Sequence, residues 1–273
     1  MTRGRISSIL EREAAAFSGT VGVYARRLDR SGEALELNAD ESFPTASVVK
    51  LPLLVAALHR VQEGVLDLDG RYPLTQIDQV TGSGVLHVLQ PGLQPTLRDL
   101  LTLMIVVSDN TATNMVLDAL GGREPVNRVL SDWGFSATRV VGKLQLPWEL
   151  TNDDQKAGQL NSSTPRDTGR LLEKLWRREL LPGTATELAL GILEGQQFNE
   201  TIPRYLPPGT RALHKTGEIT GVRNDAGIVL AGDATYAVVL FSRGGSDHRE
   251  HPDNEGVLAL ARIAAAIHEE LAG

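Results

Sequence analysis

Cysteine is missing altogether from the 273-residue chain, which excludes disulfides and thiolate chemistry. Long hydrophobic runs are missing too, and no stretch approaches the length of a membrane-spanning helix. Within residues 1–17, Arg3, Arg5, Glu11, Arg12 and Glu13 break up any apolar segment, so no signal peptide is expected. A cytoplasmic location is therefore expected for the chain as it stands, or a periplasmic or secreted one if an export signal has been removed. Basic clusters are lacking and the net charge is −7, which argues against a nucleic-acid partner. The six histidines show no metal-ligand spacing, and His248 and His251, beside Asp247 and Asp253, read as part of a solvated loop. No metal, cofactor or membrane partner is implied, and a monomer is expected. There is also no Gly-x-Ser-x-Gly elbow, no internal repeat and no low-complexity linker.

What is present is ordinary globular composition, 41% hydrophobic, at a length that suits one large domain or two closely packed lobes. Ile6, Ile9, Leu10 and Ala14 recur at helical spacing and predict a helix over residues 5–16. Residues 20–25 and 34–37, split by Asp29-Arg30-Ser31-Gly32, read as a β-hairpin. From residue 47 to about 195 the pattern is mostly helical, with helices predicted at 51–62, 97–107, 112–120, 125–133 and 165–176. Strands are predicted at 212–216, 226–230 and 235–242, and a last helix at 255–271. Strands at both chain ends most simply form one antiparallel sheet flanked by the terminal helices. The expected fold is thus α+β, with residues 1–46 and 205–273 as a sheet lobe and residues 47–204 as an inserted all-helical lobe. A cleft between them would suit a small-molecule substrate.

Three short motifs carry chemistry. Ser47 and Lys50 lie three apart where a helix begins, so they share one face. A serine hydroxyl needs a base, and a lysine becomes one when burial and positive neighbours depress its pKa. The apolar run Val48, Val49, Leu51, Leu53 and Leu54 promises that burial. Pro52, inside the same helix, predicts a distorted or 3₁₀-like first turn. Ser108-Asp109-Asn110 ends an apolar run and could be no more than a helix cap. Lys215-Thr216-Gly217 sits in a strand, where the lysine could be a solvated edge residue.

Together, and in this order, the three motifs resemble the signature of class A β-lactamases and penicillin-binding proteins. Leu97-Arg98-Asp99-Leu100-Leu101 and Thr164-Pro165-Arg166-Asp167 extend the resemblance over nearly the whole chain. It implies a serine β-lactamase-like fold and a hydrolase that opens β-lactam amides through an acyl-enzyme on Ser47. Lys50 would be proton acceptor or electrostatic partner, and Ser108 would pass a proton to the leaving nitrogen. Asn110 would hold the substrate amide and Lys50, while Lys215 and Thr216 would bind the substrate carboxylate. The backbone N–H groups of Ser47 and Glu218 would form the oxyanion hole, with Gly217 leaving room for a substrate beside the strand. Arg223 is a candidate second carboxylate contact from a turn.

The chain departs from the family pattern in one place. The Glu-x-x-Leu-Asn loop that positions the deacylating water is absent from residues 144–161. Trp148-Glu149 resembles its start, which makes Glu149 a candidate base beside Asp153, Asp154 and Asn161. Without such a base the scaffold would resemble a D-alanyl-D-alanine peptidase or esterase with weak β-lactamase activity, or a β-lactam-binding module that does not turn over. The substrate is accordingly a β-lactam or a D-alanyl peptide or ester.

Overall fold

The computed structural model describes residues 3–30, 32 and 34–273, with the side chains of residues 3–5 outside the description. The chain opens with helix α1 (Arg3–Ala15) and the hairpin β1 (Thr20–Arg27) and β2 (Leu35–Leu37), close to the predicted positions. The strand β3 (Phe43–Pro44) follows, then a 3₁₀ turn (Ala46–Val49) that runs into α2 (Lys50–Gln62). Next come α3 (Leu97–Val106), α4 (Asn110–Ala119), α5 (Arg123–Asp132), the short α6 (Asp153–Lys156) and β4 (Ser162–Ser163). After α7 (Pro165–Trp176) and α8 (Gly183–Glu194), the chain returns to strands β5 (Arg211–Ile219), β6 (Val222–Ala231) and β7 (Ala234–Arg243) and ends in α9 (Glu255–Ala272).

The main sheet has the order β2-β1-β7-β6-β5, antiparallel throughout, so strands from both chain ends interleave. The fold is α+β, as expected. Side chains alternate across a strand, and β7 uses both faces for burial. Tyr236, Val238 and Leu240 pack with Leu260, Ile263 and Ile267 of α9 and Leu10 of α1. Ala237, Val239 and Phe241 pack instead into the larger core with Leu54 and Leu58 of α2 and Leu171 and Leu172 of α7.

That second core holds α2 with residues 50–58 all buried, and α2 in turn holds the site. The predicted distortion is present: residues 46–49 are 3₁₀ and α-helix begins only at Lys50. Pro52 thereby falls in the first α-helical turn, directly after the 3₁₀ turn. The entry to the turn is fixed elsewhere. β3 pairs with β4, Thr45 donates its N–H to Asn161 O at 2.9 Å, and Asn224 Nδ2 on β6 donates to Pro44 O at 2.8 Å. Among the described residues no helix is long and apolar enough to cross a membrane.

Candidate active site

Lys50 is fully buried, and its side-chain nitrogen lies where four oxygens converge. Nζ donates to Ser108 O at 2.7 Å and to Asn110 Oδ1 at 2.9 Å, and sits 3.0 Å from Ser108 Oγ and 3.1 Å from Ser47 Oγ. Two of these partners, a peptide carbonyl and an amide oxygen, can only accept. A neutral amine has two N–H groups, and both are directed to those acceptors. Its lone pair is then left to a hydroxyl hydrogen, from Ser47 or Ser108. Desolvation holds the Lys50 pKa well below the ordinary lysine range, and the charge of Lys215 lowers it further, with Asp109 opposing. Ser47 itself is half-buried.

The Ser108-Asp109-Asn110 triplet divides its work. Asp109 is the N-cap of α4, with Oδ1 accepting from Ala112 N–H at 2.8 Å. Its Oδ2 accepts from Val85 and Leu86 N–H at 2.6 and 2.8 Å, so residues 85–86 are tied to the start of α4. The capping role weighed from sequence therefore belongs to the middle residue, while Ser108 and Asn110 turn to Lys50. Ser108 manages this from a left-handed backbone, φ 55°.

Lys215 is also fully buried, on β5, and donates to Thr216 O at 2.8 Å. It is not a solvated edge lysine. Burial lowers its pKa to about 7, against the opposing charge of Asp225. Beside it His214 is locked between Asp225 Oδ1 (2.8 Å) and Asn199 Oδ1 (3.1 Å), which gives that histidine a structural position. Gly217 brings β5 against the nucleophile turn. A Cβ on it would meet Thr45 O at 2.7 Å and the backbone nitrogens of Ser47 and Val48 at 3.0 Å. The chain's own backbone therefore already requires glycine at this position.

Two sequence candidates sit differently from expectation. Arg223 is only 5% exposed, on β6, and its guanidinium donates to the carbonyls of Ile219, Val222 and Arg249 and pairs with Glu218 at 2.9 Å. Those bonds occupy both Nη atoms with the protein's own acceptors. Glu149 lies on an exposed 3₁₀ turn (Trp148–Leu150), has no hydrogen bond or ion pair among the described residues, and is not joined to the Lys50 network. Trp148 is 63% exposed and does not pack inward. Of the competing candidates, Asp153 is exposed, and Asp154 is held by Arg123 and Arg139 at 2.6 and 2.9 Å. Asn161 Oδ1 accepts from Val141 N–H at 2.6 Å.

The part of that loop pinned to the site lies earlier. Asn114, one turn beyond Asn110 on α4, accepts from Leu144 N–H at 2.8 Å and donates to Leu144 O at 2.9 Å. Sequence reasoning passed over Asn114, although a second asparagine four residues on, along the same helix face, was its visible signal. Among the described residues no group of three or more His, Cys, Asp or Glu is placed to hold a metal ion.

A buried lysine bonded to two serines and an asparagine, with a second buried lysine on strand β5, is thus set on an α+β scaffold. Comparison with known proteins agrees. The model of the beta-lactamase enzyme family matches residues 5–271, and the chain belongs to that family. A beta-lactamase of Streptomyces lavendulae is 32% identical over 224 residues, covering 77% of this chain and 69% of that protein. The crystal structure of a beta-lactamase from Sphaerobacter thermophilus superposes with a TM-score of 0.87 at 31% identity, covering 99% of this chain and 98% of that one. A mutant of PBP-A, solved as an acyl-enzyme complex with penicillin G, superposes with a TM-score of 0.83 at 29% identity, covering 98% and 95%.

Proposed function

We propose that this protein hydrolyses β-lactams through an acyl-enzyme on Ser47. The observation that carries the reading is the single Lys50 nitrogen within hydrogen-bond distance of both Ser47 Oγ and Ser108 Oγ. Family membership and the beta-lactamases named above support the substrate class, and the PBP-A complex supports the covalent step. Substrate would enter between the sheet portion (residues 1–46 and 205–273) and the helical portion (residues 47–204).

In this mechanism Lys50, its pKa lowered by desolvation and by the charge of Lys215, takes the Ser47 proton as Oγ attacks the lactam carbonyl. The developing oxyanion is met by the backbone N–H groups of Ser47 and Glu218, a contact worth about 10²–10³ in rate per donor. Support for that pairing is the close approach of Gly217 to the Ser47 backbone. Ser108 Oγ gives its proton to the lactam nitrogen and recovers one from Lys50, so the C–N bond breaks with the Ser47 ester formed. Lys215 and Thr216 hold the substrate carboxylate, and Asn110 the substrate amide. Water then hydrolyses the ester and frees Ser47.

A second reading concerns the rate of that last step. Glu149 stands on an exposed turn without a partner among the described residues, and the loop residue clamped by Asn114 of α4, Leu144, carries no carboxylate. Both features favour slow release, as in a D-alanyl-D-alanine peptidase or esterase-like enzyme with weak β-lactamase activity. Mixing the protein with a chromogenic cephalosporin while following colour and intact mass tests both readings. Slow release gives a burst of one equivalent and a persistent adduct. Rapid continuous turnover with no accumulated adduct would retain the acyl-enzyme reading and remove slow release. Absence of both colour and adduct would overturn the function.

A further inference from the structure

Among the described residues, five that are not glycine have positive φ, and three of them are at or beside the Lys50 network. Ala46 (φ 46°) precedes the nucleophile and Ser108 (φ 55°) touches Lys50. The third is Gln145 (φ 53°), which no motif marks. A left-handed backbone is costly for a residue with a Cβ, and such strain persists where the surroundings enforce it, often at functional sites. Here the enforcement is visible: Asn114 clamps the preceding residue, Leu144, through both its N–H and its carbonyl.

The side chain supplies a second observation. A Cβ added at Gly82 would lie 2.7 Å from Asn110 Nδ2 and 3.8 Å from Gln145 Nε2, so the two carboxamides flank one point on the site rim. Asn110 spends its oxygen on Lys50 and one N–H on Thr81 O at 3.2 Å. The Gln145 carboxamide is exposed and makes no hydrogen bond among the described residues. It offers one acceptor and two donors beside a group already committed to catalysis.

We infer that Gln145 is a specificity-determining residue that hydrogen-bonds the acylamino side chain of the substrate, alongside Asn110. A neutral carboxamide matches an amide, which both donates and accepts, and has no charge to attract a carboxylate. The inference rests on the acyl-enzyme reading above and deepens it by naming the part of the substrate recognised. A β-lactam lacking the acyl group keeps its ring and carboxylate, and loses this contact alone.

The test compares second-order acylation of Ser47 by benzylpenicillin and by 6-aminopenicillanic acid, in wild type, Gln145→Ala and Gln145→Gly. Both variants remove the carboxamide, but glycine also relaxes the left-handed backbone. Each should acylate about fivefold to tenfold more slowly with benzylpenicillin, the worth of one neutral hydrogen bond, and within about twofold of wild type with 6-aminopenicillanic acid. Equal losses on both substrates, no loss on either, or a loss in the alanine variant that glycine restores would overturn the inference while leaving the acyl-enzyme intact. Failure of wild type to form any Ser47 adduct would overturn both.

Discussion

The charge of Lys215 bears on Lys50: the two fully buried lysines lie near enough that it adds to the desolvation depressing the Lys50 pKa. Two buried lysines of the site are thus electrostatically linked. The link favours the neutral, proton-accepting form of Lys50 while Lys215 remains charged.

Lys215 makes a stability prediction whose sign is fixed. Its folded pKa is lowered to about 7, below the unfolded value near 10.4. Between those values the unfolded chain binds more protons, so stability rises with pH across that window. Below pH 7 the full burial penalty remains. Urea denaturation of wild type and Lys215→Met should show wild type gaining on the variant, by a few kcal/mol, from pH 7 to 10. A difference that stays flat across that range would contradict the depressed pKa.

Acylation should occur at Ser47 alone. Peptide mapping after β-lactam labelling should place the adduct there, and Ser47→Ala should carry none. Lys50→Met should still fold and should acylate about 10²–10⁴ more slowly, the usual worth of a general base. An adduct mapped to Ser108 or another serine would refute the assignment.

Gly217→Ala forces a Cβ onto the backbone of the nucleophile turn, 2.7 Å from Thr45 O. Overpacking of this kind costs about 1–3 kcal/mol, and β5 must shift away from Ser47. Acylation should slow by about 10² or more if one oxyanion donor is displaced. Near-wild-type acylation together with a lowered Tm would separate the packing role from the catalytic one.

Glu149→Gln should leave acylation and release both within about twofold, as expected for an exposed surface substitution, because the carboxylate is exposed and has no partner among the described residues. Stopped-flow mixing followed by mass spectrometry separates the two steps. Slowing of release alone, by 10² or more, would instead give Glu149 the deacylating role.

The sheet, the terminal helices and the three motifs were legible because each rests on local pattern: alternation in β7, 3.6-residue spacing in α1 and α9, and short fixed spacings around Ser47, Ser108 and Lys215. What could not be read depends on contacts made across the chain. Helix α8 begins at Gly183, contains Gly191 and lacks a side-chain cap, so nothing local announces it; it is held by burying Ala189, Ile192 and Leu193. Gln145 is left-handed without being glycine or asparagine, and only the bonds from Asn114 reveal why. Arg223 read as a turn residue because its carbonyl acceptors, at Ile219, Val222 and Arg249, are brought together only by folding. Glu149 resembles the start of the family loop in sequence, but its exposure on a 3₁₀ turn is set by folding and could not be read from residue identity.

The interleaved sheet also sets an order in time. On the ribosome Ser47 emerges early, but Thr20–Arg27 then has only three-residue β2 on one side and an open edge on the other until Ala234–Arg243 is made. Such an edge is a template for unwanted pairing between nascent chains. Contacts this distant in sequence also form slowly. A chain cut short before β5 would hold the nucleophile without Lys215, Thr216 or Glu218, and one cut before β7 would hold every one of these groups without the strand that joins the two ends of the sheet. On the proposed mechanism, reactivity is therefore acquired late in synthesis, and incomplete chains would carry the serine but not the means to use it.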